Sequence, residues 1–139
     1  MQNEYKHSDL TRQIIKAFYI VYNTLGYGFL ESVYRNAMQI ELNRMGLVST
    51  KEKQIDVYYS SQPVGKYFAD LIVEEKVILE IKSAEHLLDE HSAQLLNYLK
   101  ATPYEVGLLL NFGPKPVLQR KVFDNSLKGT IEWLDKEEE

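Results

Sequence analysis

Two short stretches, VGKYFADLIV at residues 64–73 and VILEIK at residues 77–82, limit the possible folds more than anything else in this chain. Each is largely apolar on both of the alternating faces that an extended strand presents. A strand that is apolar on both sides must be covered on both sides, so the pair predicts two central strands of a layered sheet. The polar residues between them, Glu74-Glu75-Lys76, read as a tight turn that joins the two into a hairpin.

Three charged residues stand inside that hairpin: Asp70, Glu80 and Lys82. On regular alternation Phe68, Asp70 and Ile72 share one face, with Ala69, Leu71 and Val73 on the other. In the partner strand Ile78, Glu80 and Lys82 share a face, opposite Val77, Leu79 and Ile81. A turn centred on Glu75 sets Asp70 directly across from Glu80, with Cβ atoms roughly 5 Å apart. Charges in such strands are costly unless they are paired or bound to metal. Two carboxylates this close repel each other and together offer a hard-oxygen site suited to Mg²⁺ or Mn²⁺. Lys82, two residues further along, is near enough to touch a water or a phosphate oxygen. The alignment needs a turn of odd length, because an even one puts the two acids on opposite faces. For the spacing alone the commoner arrangement is an ion pair of Asp70 with Lys82 at the sheet's edge, with Glu80 in solvent. The apolar setting of the three residues favours the site.

The rest of the chain supplies the layers. Leu10, Ile14, Ala17, Phe18, Val21 and Leu25 recur at helical spacing, predicting a helix over 8–25 capped by Ser8 and stopped by Gly26. A second helix is expected from Leu30 to Met45, ending at Gly46, and a third over Asp89–Lys100. Further strands are expected at Lys53–Ser60, Glu105–Asn111 and Val117–Phe123, the last at a sheet edge, with a short final strand at Thr130–Leu134. The order ααβββαββ describes an α/β or α+β domain with a mixed central sheet flanked by helices. At 139 residues one domain is expected over the whole length, with an acidic tail at 135–139.

The helices bring further candidates. Glu31 follows the Gly28 break, with Tyr34 three residues on and so on the same side. In the third helix Gln94 and Tyr98 are four apart and share a face, with His91 just before them. Taken singly, each has a plainer explanation: Glu31 as an acid favoured at a helix start, Gln94 as a solvated side chain, Tyr98 as a core aromatic. Taken jointly, those plainer explanations lose force.

Four segments carry a family resemblance. Gly28-Phe29-Leu30-Glu31-Ser32-Val33-Tyr34 resembles the signature of the GxxExxY family, a branch of the PD-(D/E)xK nuclease superfamily. Phe68-Ala69-Asp70-Leu71 and Leu79-Glu80-Ile81-Lys82-Ser83 resemble its metal-binding core, although Ala69 stands where the superfamily name has proline. Gln94-Leu95-Leu96-Asn97-Tyr98 resembles the QxxxY helix of RecB-like nucleases. The resemblance covers about residues 8–123 and implies a restriction-endonuclease-like fold. It implies that Asp70, Glu80 and the backbone carbonyl of Ile81 ligate a Mg²⁺ or Mn²⁺ ion, with Glu31 reaching it directly or through water. Lys82 would orient the attacking water or stabilise transition-state charge. Gln94 and Tyr98 would position substrate or water.

Composition narrows the setting. Without cysteine the chain has no disulfide and no thiolate metal site. His7, His86 and His91 lack the spacing of a zinc site on one element. No apolar run approaches a membrane span and the first residues are polar, so a cytoplasmic protein is expected. The net charge of −4 argues against coating duplex DNA by bulk electrostatics, but three of those charges lie in the terminal Glu137–Glu139 run. Lys100, just past the Gln94–Tyr98 face, and Tyr34 are the expected nucleic-acid contacts. The expected function is a metal-dependent nuclease hydrolysing DNA phosphodiesters. The alternatives are an inactive nuclease-like module binding nucleic acid or a partner protein, and a phosphoesterase acting on small nucleotides. A homodimer would add gripping surface.

Overall fold

The computed structural model describes residues 6–128. Helices α1 (Ser8–Leu25) and α2 (Glu31–Arg44) come first, then the strands β1 (Ser49–Tyr59), β2 (Gln62–Val73) and β3 (Val77–Lys82). Helix α3 (Asp89–Lys100) leads to β4 (Val106–Phe112) and β5 (Pro116–Val122), followed by a 3₁₀ turn at Asn125–Leu127. The element order over these residues is the expected one. The strand expected at 130–134 lies outside the described residues.

The five strands lie side by side in sequence order. All neighbours are antiparallel except β3 and β4, which run parallel because α3 carries the chain back across the sheet between them. The sheet is therefore mixed, with β1 and β5 at its edges and β2, β3 and β4 inside. Among the described residues no helix is long and apolar enough to cross a membrane.

Both faces are covered, as the two-sided apolar strands required. On one face Ile14, Phe18, Met38 and Leu42 of α1 and α2 pack on Leu71, Leu79, Ile81, Leu108 and Leu110. On the other, Leu95 and Leu99 of α3 pack on Ile72, Ile78 and Leu109. Gly107 lets α3 come close: a Cβ there would stand 2.8 Å from Leu95 Cδ1. Each fully buried aliphatic side chain contributes about 1.5–3 kcal/mol.

Three local expectations are corrected. Ser8 is the first helical residue, not the cap; His7 caps α1 in a left-handed conformation at φ 56 and no side chain closes the end. Strand β1 begins at Ser49, well before Lys53, because β2 runs on to Val73 and draws Ser49 into register with it. The alternation of β2 also breaks near Asp70. Tyr67 and Ala69, not Phe68, share the cluster of Ile72 and Ile78, while Phe68 is 53% exposed. The cause lies across the strand: the β1–β2 ladder runs through Lys51↔Leu71 and Lys53↔Ala69 but skips Glu52 opposite Asp70. Glu52 adopts φ 54, a conformation that cannot continue a pleat.

Candidate active site

The hairpin turn Glu74-Glu75-Lys76 has three residues, two of them at φ 54. Its odd length gives the register Val73↔Val77, Ile72↔Ile78 and Leu71↔Leu79, so Asp70 and Glu80 stand opposite one another at the next step. There side chains take over from the backbone ladder. Asp70 Oδ2 accepts the Ile81 backbone N–H at 2.8 Å, and Glu80 Oε2 accepts the Asp70 N–H at 3.4 Å. The two acids thus meet where the strands part, and helix α2 and strand β2 supply their neighbours. Arg35 of α2 stands 3.7 Å from Asp70 Oδ1, and the Tyr67 hydroxyl donates to Glu80 Oε2 at 2.6 Å.

Burial governs the electrostatics. Glu80 is 9% exposed. Desolvation, reinforced by the charge of Asp70, pushes its carboxyl up to about 7, against the lowering pull of the Tyr67 hydrogen bond and the Lys82 charge. Burial and Glu80 together push the Tyr67 phenol well above its usual range. Tyr98 stacks on Tyr67 with ring centroids 3.4 Å apart, and burial raises its phenol as well. Tyr98 therefore reaches Glu80 through Tyr67. Gln94 lies one turn earlier on α3 and is exposed.

Other expected residues sit elsewhere. Glu31 opens α2 and is exposed, and it does not join Asp70 and Glu80 as a third carboxylate: among the described residues no three His, Cys, Asp or Glu side chains gather as a metal cluster. Tyr34 is corrected as a nucleic-acid contact. It is fully buried, its ring stacks on Phe112 at 4.2 Å, and its hydroxyl donates to Gly26 O and accepts from the Phe29 N–H. It braces the loop before α2. Lys100 is exposed, its ammonium 5.6 Å from the Phe123 ring centroid. His91 caps α3, with Nδ1 accepting the Leu88 N–H.

Three residues went unrecognised in the sequence: Tyr67, Arg35 and Asn111. Asn111, next to last in β4, stands opposite Lys82 and is buried. Its amide holds the chain just past Lys82 at both ends of one residue, Oδ1 accepting the Ala84 N–H at 2.9 Å and Nδ2 donating to Ala84 O at 3.0 Å. Gly113 passes the same carbonyl so closely that a Cβ would stand 2.4 Å from it. A buried amide in an otherwise apolar strand was the available signal for Asn111. Regular alternation set Tyr67 on the face opposite Glu80, and Arg35 gave no signal because its partners Glu52 and Asp70 lie far away in sequence.

The donor set fits a hard divalent cation. The buried Glu80 carboxyl, its proton affinity raised by desolvation and by the charge of Asp70 beside it, is a place where a cation would offset negative charge. Asp70 and Glu80 would hold it, with water or backbone oxygen completing the shell.

A mixed five-stranded sheet between helical layers, with two acids and a lysine where its central strands part, defines a restriction-endonuclease-like α+β fold. A family model described as the PD-(D/E)XK nuclease superfamily matches residues 8–122, and the chain belongs to that superfamily. Two solved structures share the fold. The crystal structure of SSO0001 aligns with a TM-score of 0.52 at 18% identity, covering 76% of this chain and 55% of that one. The alkaline exonuclease LHK-Exo from Laribacter hongkongensis aligns with a TM-score of 0.50 at 13% identity, covering 69% and 57%. The chain thus spans little more than half the length of either. No curated protein matches its sequence.

Proposed function

We propose that this protein is a metal-dependent nuclease that hydrolyses DNA phosphodiester bonds. We assign it to the GxxExxY branch, with Gln94 and Tyr98 as a RecB-like QxxxY pair, and read residues 1–139 as one domain. The observation that carries the reading is the Asp70–Glu80 pair. It is an expensive feature to keep in a sheet interior unless a cation is bound there.

Asp70, Glu80 and the Ile81 carbonyl would hold Mg²⁺ or Mn²⁺, with Glu31 acting only through water. The ion supplies Lewis acidity that withdraws charge from the phosphate and activates water. Asp70 is oriented for this by the Ile81 N–H, and Glu80 by Tyr67. Lys82, whose charge is felt at Glu80, orients the nucleophile or offsets negative charge developing on the phosphate. Asn111 holds the backbone after Lys82, fixing where the amine begins.

The test is a panel of single- and double-stranded DNA and RNA, with and without Mg²⁺ or Mn²⁺. Cleavage of DNA that disappears in Asp70→Ala and Lys82→Ala, both still folded, is the expected result; equal activity in these variants would end the assignment. One observation favours a second reading, an inactive nuclease-like module: among the described residues no third carboxylate joins the pair. Calorimetry separates the two, because such a module takes up no Mn²⁺ that depends on Asp70.

A further inference from the structure

We infer that Arg35 is a phosphate-binding residue of this site, its guanidinium receiving a backbone phosphate of the nucleic-acid strand beside Asp70. The inference rests on the nuclease reading and adds the group that grips the substrate.

Arg35 lies one turn beyond Glu31, so α2 brings a guanidinium rather than an acid to the hairpin. Its side chain retains 19% exposure, enough for a ligand to touch it. Nη2 pairs with Glu52 Oε1 at 2.9 Å, while Nη1 stands 3.7 Å from Asp70 Oδ1, beyond hydrogen-bond distance. Nε is buried and has no hydrogen-bond partner. A guanidinium has five donors in a fixed fork and saturates them best on a planar or tetrahedral oxyanion. Here the fork is held by one carboxylate, kept near a second, and left with an unpaired donor. An unpaired buried donor is an unfavourable state that a small turn of the fork toward a phosphate would relieve. The backbone is shaped around the same place: Glu52 holds φ 54 opposite Asp70, where the ladder skips a pair. Lys82 lies two residues beyond Glu80 on the partner strand.

The test measures strand binding by fluorescence anisotropy, with a labelled single-stranded oligonucleotide in Mg²⁺. The Lys82→Ala protein is used throughout so that the strand stays intact. Adding Arg35→Met is expected to weaken binding roughly tenfold and to lower the slope of log affinity against log salt by about 0.7. Arg35→Lys restores the salt slope but not the full affinity, because it keeps the charge and loses the fork. Calorimetric Mn²⁺ uptake stays within about threefold in each. If Arg35→Met leaves affinity and salt slope unchanged in a folded protein that binds the strand, Arg35 has no phosphate role. If it changes only Mn²⁺ uptake, Arg35 merely holds Asp70, and the inference is likewise overturned. If the Arg35-containing protein binds no strand at all, the nuclease reading falls too.

Discussion

Glu80→Gln gives the sharpest physical test of the acid pair, because it can be run on metal-free protein without any substrate. An unfolded glutamate titrates near its ordinary 4.5, whereas burial beside Asp70 raises the native carboxyl to about 7. Between those values the native state holds a proton that the unfolded state has released. Stability therefore falls as pH rises through that window, and the penalty is complete above it. Linkage gives a loss on the order of 2–3 kcal/mol between pH 5 and pH 8 from this one group. Glutamine keeps an oxygen for the Tyr67 hydroxyl and removes the charge. In EDTA, urea unfolding should show the wild type losing about that much relative to Glu80→Gln as the pH is raised from 5 to 8. Mn²⁺ at pH 8 should return it to the wild type and not to the variant. A stability difference that stays flat across this range, or that grows in favour of the wild type, refutes the claim that Glu80 is held in a desolvated place beside a second carboxylate.

Other consequences follow from the surrounding framework. Asn111→Ala removes both hydrogen bonds to Ala84 and should cost about 2–3 kcal/mol in urea unfolding, with a larger proportional loss in kcat than in affinity, since the backbone after Lys82 is freed. Gly113→Ala must displace the Ala84 carbonyl and should cost about 1–3 kcal/mol by the same measurement. Tyr34→Phe removes the hydroxyl that joins Gly26 to Phe29; a loss of about 1 kcal/mol and faster amide exchange at Phe29 are expected, with strand affinity unchanged. Leu99→Ala, at the α3 contact with the sheet, should cost about 2–5 kcal/mol and lower the melting temperature without altering Mn²⁺ uptake per folded molecule.

What the sequence revealed follows from the range of the forces involved. Two-sided apolarity in 64–73 and 77–82 is a statement about solvent, and it correctly predicted three layers before any partner was known. The opposition of Asp70 and Glu80 was equally legible, because it depends only on the parity of a three-residue turn. Regular alternation failed at Ala69 because the disturbance sits on Glu52, in another strand, at a position that no local pattern marks. The start of β1 was hidden for a related reason: Ser49-Thr50-Lys51-Glu52 is polar, and only the length of β2 makes it a strand.

The α2 residues show most clearly where motif spacing stops being informative. Glu31, Tyr34 and Arg35 lie within little more than one turn, and spacing alone groups the first two beside the site. Burial then separates them. The Tyr34 ring is the right size to fill the space over Phe112, so its hydroxyl is spent on its own loop. Glu31, in the first turn, stays in solvent where the helix dipole favours an acid. Arg35 has the reach to cross from the helical layer to the parted strands, and the charge to be drawn there by Glu52 and Asp70. A long cation one turn from a motif acid therefore merits as much weight as the acid itself whenever the strands beneath the helix carry unpaired carboxylates.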